Sequence, residues 1–343
     1  MQGKKVVVGL SGGVDSSVCA YLLQKEGYEV IGVTMKQFAD ADFISDAKNV
    51  ADFLHIEHCV VDFTDKFKKD IMDYFAGEYK CGRTPNPCSF CNPLIKWQAM
   101  LSVADNIGAD YVATGHYANI DKINGRFAIK NAATALKDQT YALSMLSQEQ
   151  LSRTLMPLGR FSKDEVRKIA FEAEIPVFNK PDSQDICFIP DGDYNAFLEA
   201  YTGRKDKPGN FVDMKGKVIG RHEGISHYTI GQRKGLNLAM GHPVFVVKIN
   251  PETNEVVIGE NEDLFTTEFF CEKMNFMSGD SENIPKSLRC KIRYAHKGDE
   301  CKLSYVGDGV FKGTFRVPVR AITAGQTAVF YDGDYVFAGG VIR

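Results

Sequence analysis

The sequence predicts an α/β N-terminal domain with a parallel sheet, followed by two small, mostly β domains: a central β adaptor and a C-terminal β-barrel. Three observations predict it. The first third alternates apolar runs of strand length with helical segments. A glycine-rich segment, GLSGGVDSS, joins the first such strand to the first such helix. Beyond residue 202 the texture changes to short β-prone runs separated by turn signals. The boundaries fall at 1–202, 203–268 and 269–343, and 343 residues exceed what one ordinary core organises.

Taken in order, KKVVVGL (4–10) is a continuous apolar strand of the kind buried on both faces. SSVCAYLLQKEG (16–27) reads as a helix stopped by Gly27, and EVIGVTM (29–35) as a second buried strand. A helix over 45–56 and a strand over 57–63 follow, then a helix with Thr64 as its N-cap. After the proline-stiffened stretch TPNPCSFCNPLIKW (84–97), a helix is expected near 93–108 and a strand over 111–118. Asn124-Gly125 between β-prone runs signals a hairpin. Ser162 and Glu165 spell a capping box at the start of another helix. The β half shows VFVVKI, EVVIGE, LRCKIRY and TAVFYDGDYVFAGGVI.

Composition narrows the function classes. Charged residues make up 25% of the chain and hydrophobic ones 44%, as in soluble globular proteins. No window reaches about 18 consecutive apolar residues, so no membrane span is expected. Nine cysteines without a leader-like N-terminus suit a reducing cytoplasm, where thiols are buried, catalytic or metal-bound. A net charge of −3 speaks against indiscriminate nucleic-acid binding. Locally the balance reverses: between 203 and 235 eight cations (Arg204, Lys205, Lys207, Lys215, Lys217, Arg221, Arg233, Lys234) face three acids (Asp206, Asp213, Glu223). That stretch reads either as a solvated face or as a contact for nucleic-acid phosphates.

The segment Gly9–Ser17 carries the first chemistry. Its glycines allow backbone N–H groups to approach an anion, and the following helix start adds positive potential. It lacks the Lys-Ser/Thr ending of the common nucleoside-triphosphate loop. It matches S-G-G-x-D-S, the pyrophosphate loop of enzymes that split ATP between the α and β phosphates. Asp15 would repel phosphate, which suggests a carboxylate that holds Mg²⁺.

With GLSGGVDSSV, the blocks TPNPCSFCNPLIKW, YVATGHYA, LKDQTYAL, PDSQDICFIP and HYTIGQRKGL occur in order over residues 9–236. Together they closely resemble the tRNA-specific 2-thiouridylases, and KIRYAH (291–296) and AGQTAVFYDGD (324–334) resemble that family's C-terminal β domain. The resemblance implies an adenine nucleotide alpha hydrolase-like first domain. It also implies ATP-dependent replacement of oxygen by sulfur at carbon 2 of the wobble uridine. In those terms Gly9, Leu10, Ser11, Gly12, Gly13, Val14, Asp15 and Ser16, with Met35 and Gly115, would bind ATP. Asn86, Pro87 and Cys88 would face the target base. His116, Lys137, Asp138, Gln139, Arg293, Tyr294 and Gln326 would touch the tRNA. Cys91 would be the nucleophile and Cys187 the persulfide-bearing cysteine, with a Cys91–Cys187 disulfide left after each turnover. A partner protein would deliver the sulfur.

The chemistry of the residues fits independently. A carbonyl flanked by two ring nitrogens is a poor electrophile, and adenylating its oxygen makes it a good one. Thiolates rather than thiols react, so Cys91 needs a pKa-lowering element. A helix start near Pro93 and the cation Lys96 are the expected sources. Two features depart from the family. Cys88 stands where many members carry Asp, which opens three readings: a persulfide relay, a four-iron cluster held by Cys88, Cys91 and Cys187, or Cys88 as a bystander. The segment KQFADADF after Met35 is short, as in a trimmed paralogue. Cys19 and Cys59 are expected in the core, Cys271, Cys290 and Cys301 as structural, and Cys81 is left open. Two other classes compete: a pyrophosphate-loop ligase acting on a small molecule, and a silent RNA-binding paralogue.

Overall fold

The structure is a computed structural model that describes residues 3–38, 43–181 and 186–343. Parts of two sequence features, the KQFADADF segment and the PDSQDICFIP block, lie outside the described residues at 39–42 and 182–185.

The first unit is built around β1 (Lys5–Gly9), α1 (Val14–Lys25), β2 (Glu29–Lys36), α2 (Phe43–Leu54) and β3 (Glu57–Asp62). A long helical stretch follows, from α3 (Thr64–Phe67) through one wide π turn to α4 (Asp73–Lys80). A second runs from α5 (Pro87–Cys91) through another π turn to α6 (Gln98–Ile107). Next come β4 (Tyr111–Ala113), the hairpin β5 (Asn119–Ile123) and β6 (Arg126–Lys130), then α7 (Thr140–Leu143), α8 (Gln148–Ser152), β7 (Thr154–Leu155), α9 (Lys163–Glu172) and α10 (Tyr194–Thr202). Strands pair in parallel in the order β3-β2-β1-β4-β7. Val6 and Val8 pack with α1, α2 and α9, while Val7 packs with α6, so β1 is covered on both faces. Chain order reverses between β1 and β4, the place where such sheets open a ligand crevice.

The β half has two sheets. β8 (Gly209–Val212), β9 (Val218–His222), β10 (Phe245–Asn250) and β11 (Glu255–Gly259) form one, ordered β10-β11-β8-β9. β12 (Phe265–Phe276), β13 (Leu288–Lys291), β14 (Asp299–Gly307), β15 (Val310–Arg320), β16 (Thr327–Asp332) and β17 (Tyr335–Ile342) form the other, and pairing of β12 with β17 closes it into a six-stranded barrel. The β5–β6 hairpin attaches to this barrel through Tyr335 and Lys130. The predicted fold class is therefore observed, and the Asn124-Gly125 turn has both residues at positive φ as a type I′ turn requires.

Several local expectations change. Thr64 is the first helical residue rather than the cap, and its N–H is taken by the Asp62 carboxylate at 2.9 Å. The helix expected from Pro93 starts at Pro87, with Asn86 as its extended cap residue, because proline at the first position costs no hydrogen bond. The strand expected over 111–118 stops at Ala113. Cys59 lies on the edge strand β3 and is only half-buried, whereas Cys19 is fully buried. The long strands β12 and β15 escaped the sequence reading because their exposed polar positions break the apolar run.

Candidate active site

The loop after β1 is closed by its own hydroxyls. Ser11 N–H donates to Ser16 Oγ at 3.2 Å, and Ser16 and Ser17 hydroxyls both donate to Gly13 O. Gly12 has φ +67°, and a Cβ there would sit 2.6 Å from Phe43 O at the start of α2. Gly115, just past β4, lies so close to the first turn of α1 that a Cβ would fall 2.7–2.8 Å from Asp15 and Ser16 backbone atoms. Met35 reaches the same place from the end of β2, its methyl 3.5 Å from where a Gly9 Cβ would be. The residues of the proposed ATP site thus converge at the sheet's switch point.

Asp15 is not an open cation site here. Both carboxylate oxygens accept from Lys163 Nζ, at 2.7 and 2.9 Å, and Tyr117 Oη donates to one of them at 2.7 Å. The carboxylate expected to hold Mg²⁺ is thus paired with an ammonium in this nucleotide-free state. The capping box explains the geometry: Ser162 and Glu165 bond each other's backbone N–H and fix the helix start that carries Lys163. A second lysine, Lys180, donates to Gly12 O at 3.1 Å and pairs with Asp46 on α2. Sequence reasoning missed Lys163, Lys180 and Tyr117. No local signal marked them: Lys163 lies 148 positions from Asp15 and Lys180 168 from Gly12.

Cys91 is 6% exposed and packs with Phe67, Ile71 and Ile95. Burial pushes its thiol up to about 12, opposed by Lys96 and reinforced by Cys187 and Cys88. The expected pull of Lys96 is present, but burial outweighs it in this state. The helix start lies at Pro87, so its dipole acts at Cys88, the second helical residue, and Cys91 sits a full turn deeper. Cys187 is an exposed residue whose thiol the surrounding protein still pushes up, again opposed by Lys96. Phe188 anchors it in an aromatic box, with ring centroids 5.6 Å from Phe67 and 5.4 Å from Phe75. Gln37, two residues past Met35, donates to Cys91 Sγ at 3.9 Å and links the cysteine helix to the ATP side.

Cys88, Cys91 and Cys187 perturb one another but do not form a metal cage. Among the described residues no group of three or more His, Cys, Asp or Glu is arranged to hold an ion. All nine cysteines are free, and Cys271, Cys290 and Cys301 are buried in the barrel core.

The remaining candidates are largely engaged. His116 Nδ1 lies 2.8 Å from Thr114 Oγ1, and burial, then Lys96, lower its pKa from 6.5 to about 3. Asp138 accepts from the N–H groups of Ala132 and Thr140, and Gln139 accepts from Tyr117 N–H. Lys137 is half-buried. Arg293 donates to the carbonyls of Arg320 and Ala321, while Tyr294 is 55% exposed beside Tyr141. Gln326 donates to the carbonyls of Thr84 and Pro85. All eight cations of 203–235 are exposed.

A glycine-rich loop at the switch point of a parallel sheet, free cysteines on a neighbouring helix and two appended β units define the class: an α/β enzyme of the nucleotide-binding kind carrying two β domains. Family models agree: one described as tRNA methyl transferase HUP domain matches residues 4–191, one described as tRNA methyl transferase PRC-barrel domain matches 195–260, and one described as Aminomethyltransferase beta-barrel domain matches 266–342. Over 99% of both chains the sequence is 53% identical to the tRNA-specific 2-thiouridylase MnmA of Lachnoclostridium phytofermentans. It is 49% identical to that of Clostridium perfringens over 100% of this chain and 99% of the relative. To that of Clostridioides difficile it is 48% identical over 99% and 98%. The chain belongs to the tRNA-specific 2-thiouridylase family and is a tRNA sulfurtransferase.

Proposed function

We propose that the protein catalyses ATP-dependent 2-thiolation of the wobble uridine of tRNA, using a persulfide on Cys187. The observation that carries this reading is the bridge from Met35, against the ATP loop, to Gln37, against the Cys91 sulfur. It supports a reading in which an adenylating site and a sulfur site share one edge of the sheet.

In this mechanism the uridine C2 oxygen attacks the α-phosphorus of ATP and pyrophosphate leaves, held by backbone N–H groups of residues 11–16. Lys163 and Lys180, paired in the nucleotide-free state with Asp15 and Asp46, are the cations that would meet the pyrophosphate. The terminal sulfur of the Cys187 persulfide then attacks C2. Cys91 thiolate attacks the Cys187 sulfur, the S–S bond breaks, and AMP departs as the C2–S double bond forms. The product is thiouridine and a Cys91–Cys187 disulfide, which a dithiol reductant restores with two electrons. Both thiols are held protonated in the tRNA-free state, so each must lose a proton to act. The wobble base must leave its stack to reach the loop, and the exposed cations of 203–235 suit its flanking phosphates. No described helix is long and apolar enough to cross a membrane. In this reading the enzyme meets tRNA and a sulfur-donor protein in the cytoplasm.

Two variants separate the half-reactions. With Asp15→Ala, tRNA-dependent pyrophosphate release stops; with Cys187→Ser it persists while thiouridine is lost. Full thiolation by Cys187→Ser with a persulfide donor would refute the relay.

A further inference from the structure

The segment Thr84–Cys88 contains Pro85 and Pro87, which have no N–H and cannot build a ladder of their own. Its polar groups are satisfied from elsewhere. The Gln326 amide, on the loop that enters β16, donates to Thr84 O at 2.9 Å and Pro85 O at 3.4 Å. Thr84 N–H donates to Ala324 O at 2.9 Å. Thr327 Oγ1 donates to Ser89 Oγ at 3.0 Å, and both residues are buried. Ser89 Oγ also accepts from Asn86 Nδ2. Gly325, at φ +89°, lets the barrel backbone lie so close that a Cβ would sit 3.0 Å from Thr84 backbone atoms. From the central sheet's side, Thr229 Oγ1 lies 3.1 Å from Thr84 Oγ1.

We infer that Gln326 and Thr327 of the C-terminal barrel are positioning residues for the cysteine loop, holding Asn86, Pro87 and Cys88 in place over the sulfur-transfer site. This rests on the proposed thiolation for its purpose but not for its geometry. A primary amide nitrogen has two N–H donors. Both carbonyls it donates to belong to the loop, so its donors act on the protein. The barrel that presents Arg293 and Tyr294 thereby also sets the lip at which the base is modified.

The test compares the full-length protein with Gln326→Met, which keeps the length of the side chain but has no donor, and Thr327→Val, which keeps its shape. In tRNA-free protein, iodoacetamide labelling of buried Cys91, on the helix this loop starts, and hydrogen exchange over 84–91 should rise about tenfold, the factor of one lost hydrogen bond. The kcat of thiolation should fall by a similar factor, with tRNA Kd within about twofold of the parent. Unchanged labelling and exchange in both variants overturns the inference, as does a rise in tRNA Kd with kcat intact, which makes Gln326 a tRNA contact. Labelling and exchange need no turnover, so failure of the thiolation reading leaves them decisive.

Discussion

The phosphate loop and the cysteine loop sit at the same edge of the sheet but are built differently. Residues 9–17 close on themselves through Ser11, Ser16, Ser17 and Gly13. Residues 84–91 are held by Gln326, Thr327 and Thr229, more than 140 positions away in sequence. A self-contained loop announces itself as a motif, and an assembled one does not. The first could be read from nine letters. The second could be recognised, but neither its helix start nor the state of its thiols followed from its own residues.

The largest effect that would sharpen this contrast is chemical. Asp15→Ala and Lys163→Met should each abolish ATP-dependent thiolation, measured as thiouridine in digested tRNA, because they remove the ion pair at the first turn of α1. Retained activity in Lys163→Met would return the loop to the simpler motif reading.

Next in size is packing. Gly115→Ala places a methyl 2.7–2.8 Å from the Asp15 and Ser16 backbone. A loss of ~1–3 kcal/mol in stability is expected with weakened ATP binding, measured by denaturation and by nucleotide titration. Gly77→Ala meets nothing within 4 Å and is the matched control.

The pH predictions follow from burial. Cys91 is pushed up to about 12, so its thiolate is scarce near neutrality. Its alkylation in tRNA-free protein should climb about tenfold per pH unit from about pH 7 to about pH 9, with exposed Cys88 modified first. A plateau in that range would mean that Lys96 outweighs burial. His116 behaves oppositely: its folded pKa is held near 3, below the ordinary 6.5. The unfolded chain takes up the proton first, so the stability contributed by neutral His116 is present above pH 6.5 and lost as pH falls toward 3. His116→Gln should flatten this acid limb of the unfolding curve.

The smallest effect is at the cap. Ser162→Ala should cost ~1 kcal/mol, read as a drop in Tm, and should lower activity only as far as it disturbs Lys163.

How much was legible follows from these same residues. The parallel sheet, the type I′ hairpin and the capping box were readable because each is local and periodic. The converging Gly9, Met35 and Gly115 were readable through resemblance to a family. The Asp15–Lys163–Tyr117 cluster was not, because it joins three segments whose letters look ordinary alone. The burial of Cys91 was not legible for the same reason. Its surroundings come from α3 and the π turn after it, and a helix start six positions earlier than expected moved the dipole to Cys88. Gln326 was expected at the tRNA, and only the fold shows its amide nitrogen on the loop.

The most direct measurement counts sulfur against nucleotide. Reduced protein is given ATP labelled in the α-phosphate, unmodified tRNA and a persulfide-loaded donor, and thiouridine and AMP are counted in single turnover. The account predicts one AMP per thiouridine in the parent, and none of either in Asp15→Ala. In Cys187→Ser it predicts AMP without thiouridine. Thiouridine formed without AMP, or undiminished in Cys187→Ser, would contradict it.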